Sequence, residues 1–133
     1  MLFRSAYKSN NFKVTLKGQS LETVLSQSDC ITVHTPGSEE VMNAENIGRM
    51  KKGAVLINCA RGGVVNEQAL AEALSSGHIS AAGVDVFENE PPTNHLMISQ
   101  SNCSLSPHIG ASTKEAQERV GIELANRITS FFN

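Results

Sequence analysis

Apolar positions along the chain switch between two periods. Short β-branched or aliphatic runs alternate with segments whose apolar residues recur at helical spacing. Cys30-Ile31-Thr32-Val33-His34 reads as a strand, stopped by Thr35-Pro36-Gly37. Ala54 to Asn58 and Ala81 to Val86 read as further strands, and Cys103-Ser104-Leu105 as a short last one. Phe12 to Leu16 fits a short opening strand. Between them lie helical patterns. Ser20 caps Leu21 to Ser26, with Leu21, Val24 and Leu25 on one face. Asn43 to Met50 is a short helix with Ile47 and Met50 inward, followed by a turn at Lys51-Lys52-Gly53. Asn66 caps a clearer helix with Ala69, Leu70, Ala73 and Leu74 on one side and Gly77 at its C′ position. Phe87 to Asn102, rich in Glu, Pro, Asn and Ser, reads as a long loop of the functional or mobile kind. Ser112 to Glu115 is a capping box opening a last helix, with Ala116, Val120, Leu124, Ile128 and Phe131 on one stripe.

The resulting order is β-α-β-α-β-α-β-loop-β-α, which predicts an α/β fold with a parallel sheet and flanking helices. The first dozen residues carry no clear pattern. Composition agrees with one domain. Of 133 residues, 40% are hydrophobic but only 5% aromatic, with no Trp, so the core must be aliphatic and alanine-rich. Net charge is −2, and no basic run with interleaved aromatics speaks for nucleic acid. No segment approaches the roughly 20 apolar residues of a membrane span, and the N-terminus lacks a signal-peptide pattern. Cys30, Cys59 and Cys103 form neither a CxxC pair nor a disulfide framework, which fits reduced thiols in a cytoplasm. No His, Cys or carboxylate pair has metal-ligand spacing, so no metal site is expected.

Candidate chemistry gathers at strand ends. Ile57-Asn58-Cys59-Ala60-Arg61-Gly62-Gly63 ends a buried run by presenting an arginine among glycines. Ligands of α/β sheets bind beyond the carboxyl ends of the strands, and Arg holds carboxylates by paired hydrogen bonds. A surface ion pair is the plainer alternative. Asp85, Glu90 and His108 follow the later strands, and in a parallel sheet all four residues share one rim. Histidine exchanges protons near neutral pH, and a carboxylate beside it would fix its tautomer. Asp85 could instead cap a helix, Glu90 be a solvated loop charge, and His108 a satisfied turn histidine. His34 is open between a backbone ligand contact and a structural ring; His78 and His95 read as turn and loop histidines. A G-x-G-x-x-G turn, normal in a dinucleotide site, does not occur in the chain.

His34-Thr35-Pro36, Leu56 to Gly63, Gly83 to Pro92 and Pro107 to Gln117 occur in the order found in the D-isomer-specific 2-hydroxyacid dehydrogenases. From about Leu21 to the C-terminus the chain resembles that family, most closely its D-3-phosphoglycerate dehydrogenase branch. The resemblance implies the C-terminal half of a Rossmann-like, doubly wound parallel sheet. It implies a ragged edge at 1–12, a partial NAD-binding domain at 13–111 and a C-terminal crossover helix at 112–133. Arg61, Glu90 and His108 match catalytic positions: carboxylate anchor, histidine partner and general acid–base. Thr35, Pro36, Cys59, Ala60, Arg61, Asp85, His108, Ile109, Gly110 and Ala111 match NAD-contacting positions. The implied reaction is hydride transfer between NAD and a D-2-hydroxy acid, plausibly 3-phosphoglycerate in serine biosynthesis. The parent is expected to be a cytoplasmic homodimer that acts on small 2-hydroxy or 2-keto acids and binds neither nucleic acid nor membrane. Family members carry a substrate domain and a glycine-rich half before these motifs. The chain is therefore expected to be an N-terminally truncated piece, inactive alone. A non-catalytic, NAD-sensing corepressor on the same fold is the alternative.

Overall fold

The computed structural model describes residues 18–132 and, before them, the strand backbone of Lys8–Ser9 (β1) and Phe12–Lys13 (β2), which pair antiparallel. The rest of the strand expected up to Leu16 lies outside the described residues. From there helices and strands alternate: α1 Leu21–Gln27, β3 Cys30–Val33, α2 Ala44–Gly48, β4 Ala54–Asn58, α3 Glu67–Ser75, β5 Ile79–Val84, α4 His95–Ile98, β6 Cys103–Leu105 and α5 Lys114–Phe132. Strands β3, β4, β5 and β6 form one sheet in that order, every pair parallel. This is the expected α/β architecture, and it sends all four carboxyl ends to one rim.

The elements form where side chains cap them and where apolar faces meet. Ser20, Asn43 and Asn66 each accept an amide of the first helical turn, from Thr23, Asn46 and Ala69. Gly77, with φ 71, supplies the left-handed residue that ends α3 and turns the chain into β5. The central strand β4 alternates between full and partial burial, with Leu56 completely enclosed. Leu25, Ile47, Leu70, Ile79 and Met97 pack around it in one aliphatic core. Burying each such side chain contributes about 1.5–3 kcal/mol.

Four expectations change. β5 starts at Ile79 rather than Ala81, because its ladder already pairs Ile79 with Ala54 across the sheet. The segment from Phe87 to Asn102 is not all loop. Asn94 caps the short helix α4, and Met97 anchors it in the core at 1% exposure. His95 therefore belongs to a helix. The last helix begins at Lys114, and the hydroxyl that caps it belongs to Thr113, accepting from the Ala116 amide; the Ser112 hydroxyl donates to the His108 carbonyl instead. The stripe of α5 is real as a pattern, but no residue of that helix is buried. Leu21 likewise stays half exposed while Leu25 fills the core. Among the described residues, no helix is long and apolar enough to cross a membrane.

Leu56 is the most direct test of this core. Leu56→Ala is expected to lower the unfolding free energy by about 2–5 kcal/mol. Urea unfolding should show an earlier midpoint with an unchanged slope.

Candidate active site

The end of β4 is shaped by one side chain. Asn58 is buried, and its Oδ1 accepts the Ala60 amide at 3.1 Å while its amide nitrogen donates to the Arg61 carbonyl at 3.4 Å. This folds the chain back on itself, leaving Cys59 and Arg61 exposed on the rim and Ala60 in the core. The Arg61 guanidinium donates from Nη1 to the Ala60 carbonyl at 2.6 Å. Among the described residues no carboxylate pairs with it, so the plain surface ion pair is not its role there. Gly62 then passes directly against the Phe87 backbone, in the loop beyond β5. A Cβ at this position would lie 1.8 Å from the Phe87 carbonyl oxygen, so only glycine fits.

Asp85 follows β5 and is buried. Its Oδ1 accepts the Ser106 hydroxyl at 2.6 Å and the Ile109 amide at 3.0 Å; its Oδ2 accepts the Gly110 amide at 2.9 Å. Burial alone would raise its pKa. The Ser106 hydroxyl, the two amides and the positive side of His108 together outweigh that and hold the carboxyl below its usual value. The turn that Asp85 grips contains His108, which takes the left-handed conformation with φ 54. Such a backbone is costly for a side chain bearing a Cβ and persists only where surroundings enforce it.

His108 faces Glu90 across the rim. Its Nδ1 lies 3.0 and 2.9 Å from the two carboxylate oxygens. The Phe87 amide also donates to Glu90 Oε1 at 3.2 Å. The His108 contact, seconded by this amide, holds the Glu90 carboxyl below its ordinary pKa, against the opposing effects of desolvation and, less, of Asp85. Glu90 is thus no free loop charge, and His108 is partnered through one ring nitrogen.

Thr35 stands at the end of β3, buried at 6% exposure, and its Oγ1 has no partner among the described residues. Buried hydroxyls are nearly always hydrogen-bonded. It borders a 370 Å³ cleft along the open edge of β3, walled by Leu21, Val24, Ile31, Val33 and Met42. An apolar cleft with one unspent hydroxyl fits the cofactor contact that the motif resemblance assigns to Thr35. Pro36, Ile109, Gly110 and Ala111 are exposed on the same side of the sheet ends. The His34 ring bonds Thr32 Oγ1 at 2.8 Å, a local partner. His78 bonds the Ile47 carbonyl. Burial pushes the Cys103 thiol up to about 11, which makes it inert as a nucleophile.

The geometry therefore joins Glu90 to His108 directly and ties Asp85 to the turn that carries His108, and Arg61 stands on the same rim, next to the Gly62 that packs against Phe87. One buried polar residue was not singled out from sequence. Glu67, at the start of α3, has a carboxyl oxygen that accepts the Glu88 amide at 2.8 Å. In sequence it reads only as an acid in a helix's first turn.

Comparison with known proteins places these residues in context. The profile of the family described as D-isomer specific 2-hydroxyacid dehydrogenase, NAD binding domain, matches residues 2–110. The chain is 44% identical over 122 residues to D-3-phosphoglycerate dehydrogenase of Bacillus subtilis, covering 90% of this chain and 23% of that protein. It is 48% identical over 114 residues to hydroxypyruvate reductase of Thermotoga maritima, covering 81% and 37%. The crystal structure of a glyoxylate reductase from Paecilomyes thermophila superposes with a TM-score of 0.75 at 32% identity, over 86% of this chain and 36% of that one. The chain thus spans about a quarter to a third of the length of these relatives.

The Asp85 network makes stability depend on acid. An unfolded Asp titrates near ~3.9, and the folded carboxyl titrates lower. Its stabilisation is complete above about pH 4 and is lost as pH falls through the lower folded value. Asp85→Asn is expected to cost about 1–3 kcal/mol at neutral pH and to flatten this acid dependence. Urea unfolding at a series of pH values checks both, and an unchanged acid limb in the variant would contradict the assignment.

Proposed function

We propose a function from one premise: the chain belongs to the D-isomer-specific 2-hydroxyacid dehydrogenase family, as its NAD-binding domain. In that reading the chain carries the acid–base side of a dehydrogenase that interconverts a D-2-hydroxy acid and its 2-keto acid. The proposed substrate is 3-phosphoglycerate, which the name of the Bacillus subtilis relative supports, and the proposed setting is serine biosynthesis. Residues 13–111 would form the nucleotide-binding part, and 112–133 the helix that leads away from it.

The observation that carries the reading is the contact of His108 Nδ1 with the Glu90 carboxylate. The carboxylate accepts Nδ1–H, which leaves Nε2 as the atom able to take the substrate hydroxyl proton, or to return it during reduction. Glu90 also stabilises the ring once it is charged. Arg61, without a carboxylate partner among the described residues, would grip the substrate carboxylate and polarise the neighbouring oxygen. NAD, when bound, would supply the hydride acceptor, a chemistry that belongs to its nicotinamide. Asp85 would orient the amide end of that ring, for Oδ2 takes only one hydrogen bond from the His108 turn. The Thr35 hydroxyl would donate to the cofactor, with Pro36, Cys59, Ile109, Gly110 and Ala111 lining its path along the rim and Ala60 packed beneath it in the core.

A chimera tests this reading. Residues 21–133 replace the matching segment of the Bacillus subtilis relative, and oxidation of 3-phosphoglycerate is followed by NADH absorbance. The chimera is expected to turn over, and His108→Ala to slow it about 10²–10⁴-fold with cofactor binding retained. A folded, NAD-binding chimera whose rate ignores His108→Ala would refute the acid–base role.

A further inference from the structure

We infer that Glu67 is a positioning residue: its buried carboxyl, through the Glu88 amide, sets the loop that presents Glu90 to His108. The inference rests on the acid–base reading above and extends it to a residue that touches neither substrate nor cofactor in that reading.

Glu67 is 7% exposed and opens α3. The start of that helix is fixed on three counts. The Asn66 side chain accepts the Ala69 amide, the Asn66 amide donates to the Met42 carbonyl, and the Asn66 side-chain amide donates to Glu40. From this anchored turn the Glu67 side chain crosses 21 residues of sequence to take the Glu88 amide at 2.8 Å. Glu88 lies between Phe87, whose amide donates to Glu90 Oε1, and Glu90 itself. Phe87 is buried, and its carbonyl rests against Gly62.

The loop is thus pinned at two adjacent points, by glycine contact at the Phe87 carbonyl and by Glu67 at the Glu88 amide. Remove the second pin and the peptide can rotate about Phe87. The carboxylate of Glu90, two residues further on, then swings relative to His108. A hydrogen bond near 2.9 Å weakens steeply with such misalignment. A surface acid that only favoured the helix N-terminus would sit exposed and would gain little from burial.

Two substitutions separate these roles. Glu67→Gln keeps an acceptor oxygen of the same reach and replaces the acid by an amide. Glu67→Asp keeps an acid in the first turn but withdraws the acceptor by one methylene. Both are made in this 133-residue chain, and nuclear magnetic resonance reads the Glu90 side-chain carboxyl titration and Glu88 amide exchange. Among the described residues, His108 and Asp85 are the groups whose charge bears on Glu90, and both remain in both variants.

Positioning predicts that Glu67→Asp speeds Glu88 exchange about tenfold, the loss of one ordinary hydrogen bond, and moves the Glu90 titration up toward its ordinary value. Glu67→Gln should keep both signals as in the parent. A Glu67→Asp protein identical to the parent overturns the inference, and so does a Glu67→Gln protein that shows the faster Glu88 exchange and the raised Glu90 titration expected of Glu67→Asp. Should Glu67→Asp fail to melt cooperatively, Glu67→Gln decides alone: retained signals support positioning, lost ones refute it. Because no turnover is read, a failure here is distinct from a failure of the dehydrogenase reading.

Discussion

The grip of one buried carboxylate on one turn is what the rest of the site depends on. Asp85 leaves the end of β5 and takes three hydrogen bonds from Ser106, Ile109 and Gly110, beyond the end of β6. Those bonds hold His108 in a left-handed backbone that it would not adopt freely. With that backbone set, the ring faces Glu90 and one of its nitrogens is engaged by the carboxylate. The parallel sheet supplies the coarse placement, since it delivers the ends of β4, β5 and β6 to one rim. Asp85 supplies the fine placement.

The division of labour between core and rim is sharp. The stabilising burial is chiefly aliphatic and draws on the sheet and on helices α1, α2, α3 and α4. The polar groups at the rim instead spend their hydrogen bonds on shape. Asn58 folds the β4 end outward, Gly62 lets the loop after β4 touch the loop after β5, and Glu67 ties α3 to the loop of Glu90. Electrostatics follow from this. Two carboxylates sit close to His108, and each is held below its ordinary pKa by the hydrogen bonds it accepts. An arginine without a carboxylate partner among the described residues stands on the same rim, so an incoming anion would meet a cation rather than an existing ion pair.

Much of this was legible in the sequence for physical reasons. Ser20, Asn43 and Asn66 announced their helices because a capping side chain acts within three residues, well inside a local pattern. β4 was legible because burial on both faces makes a continuous apolar run. The rim residues were legible because a parallel order fixes where strand ends go. What escaped depended on partners far along the chain. The start of β5 is set by pairing with Ala54, not by its own residues. Helix α4 is a single turn held by Met97 in a distant core. The choice of Thr113 over Ser112 as the α5 cap turns on the His108 carbonyl occupying the Ser112 hydroxyl. Glu67 could not be told from an ordinary first-turn acid, because its partner lies 21 residues away. The stripe on α5 is a true helical pattern, yet periodicity does not say what covers it.

The fold binds His108 Nδ1 to the Glu90 carboxylate, and among the described residues no group bonds Nε2, the arrangement that the proposed acid–base role requires. Long-range proton–nitrogen correlation spectra of the neutral imidazole test it directly. The account predicts the Nδ1–H tautomer in the parent chain, lost or mixed when Glu90 is replaced by alanine. A neutral His108 protonated at Nε2 in the parent would contradict it.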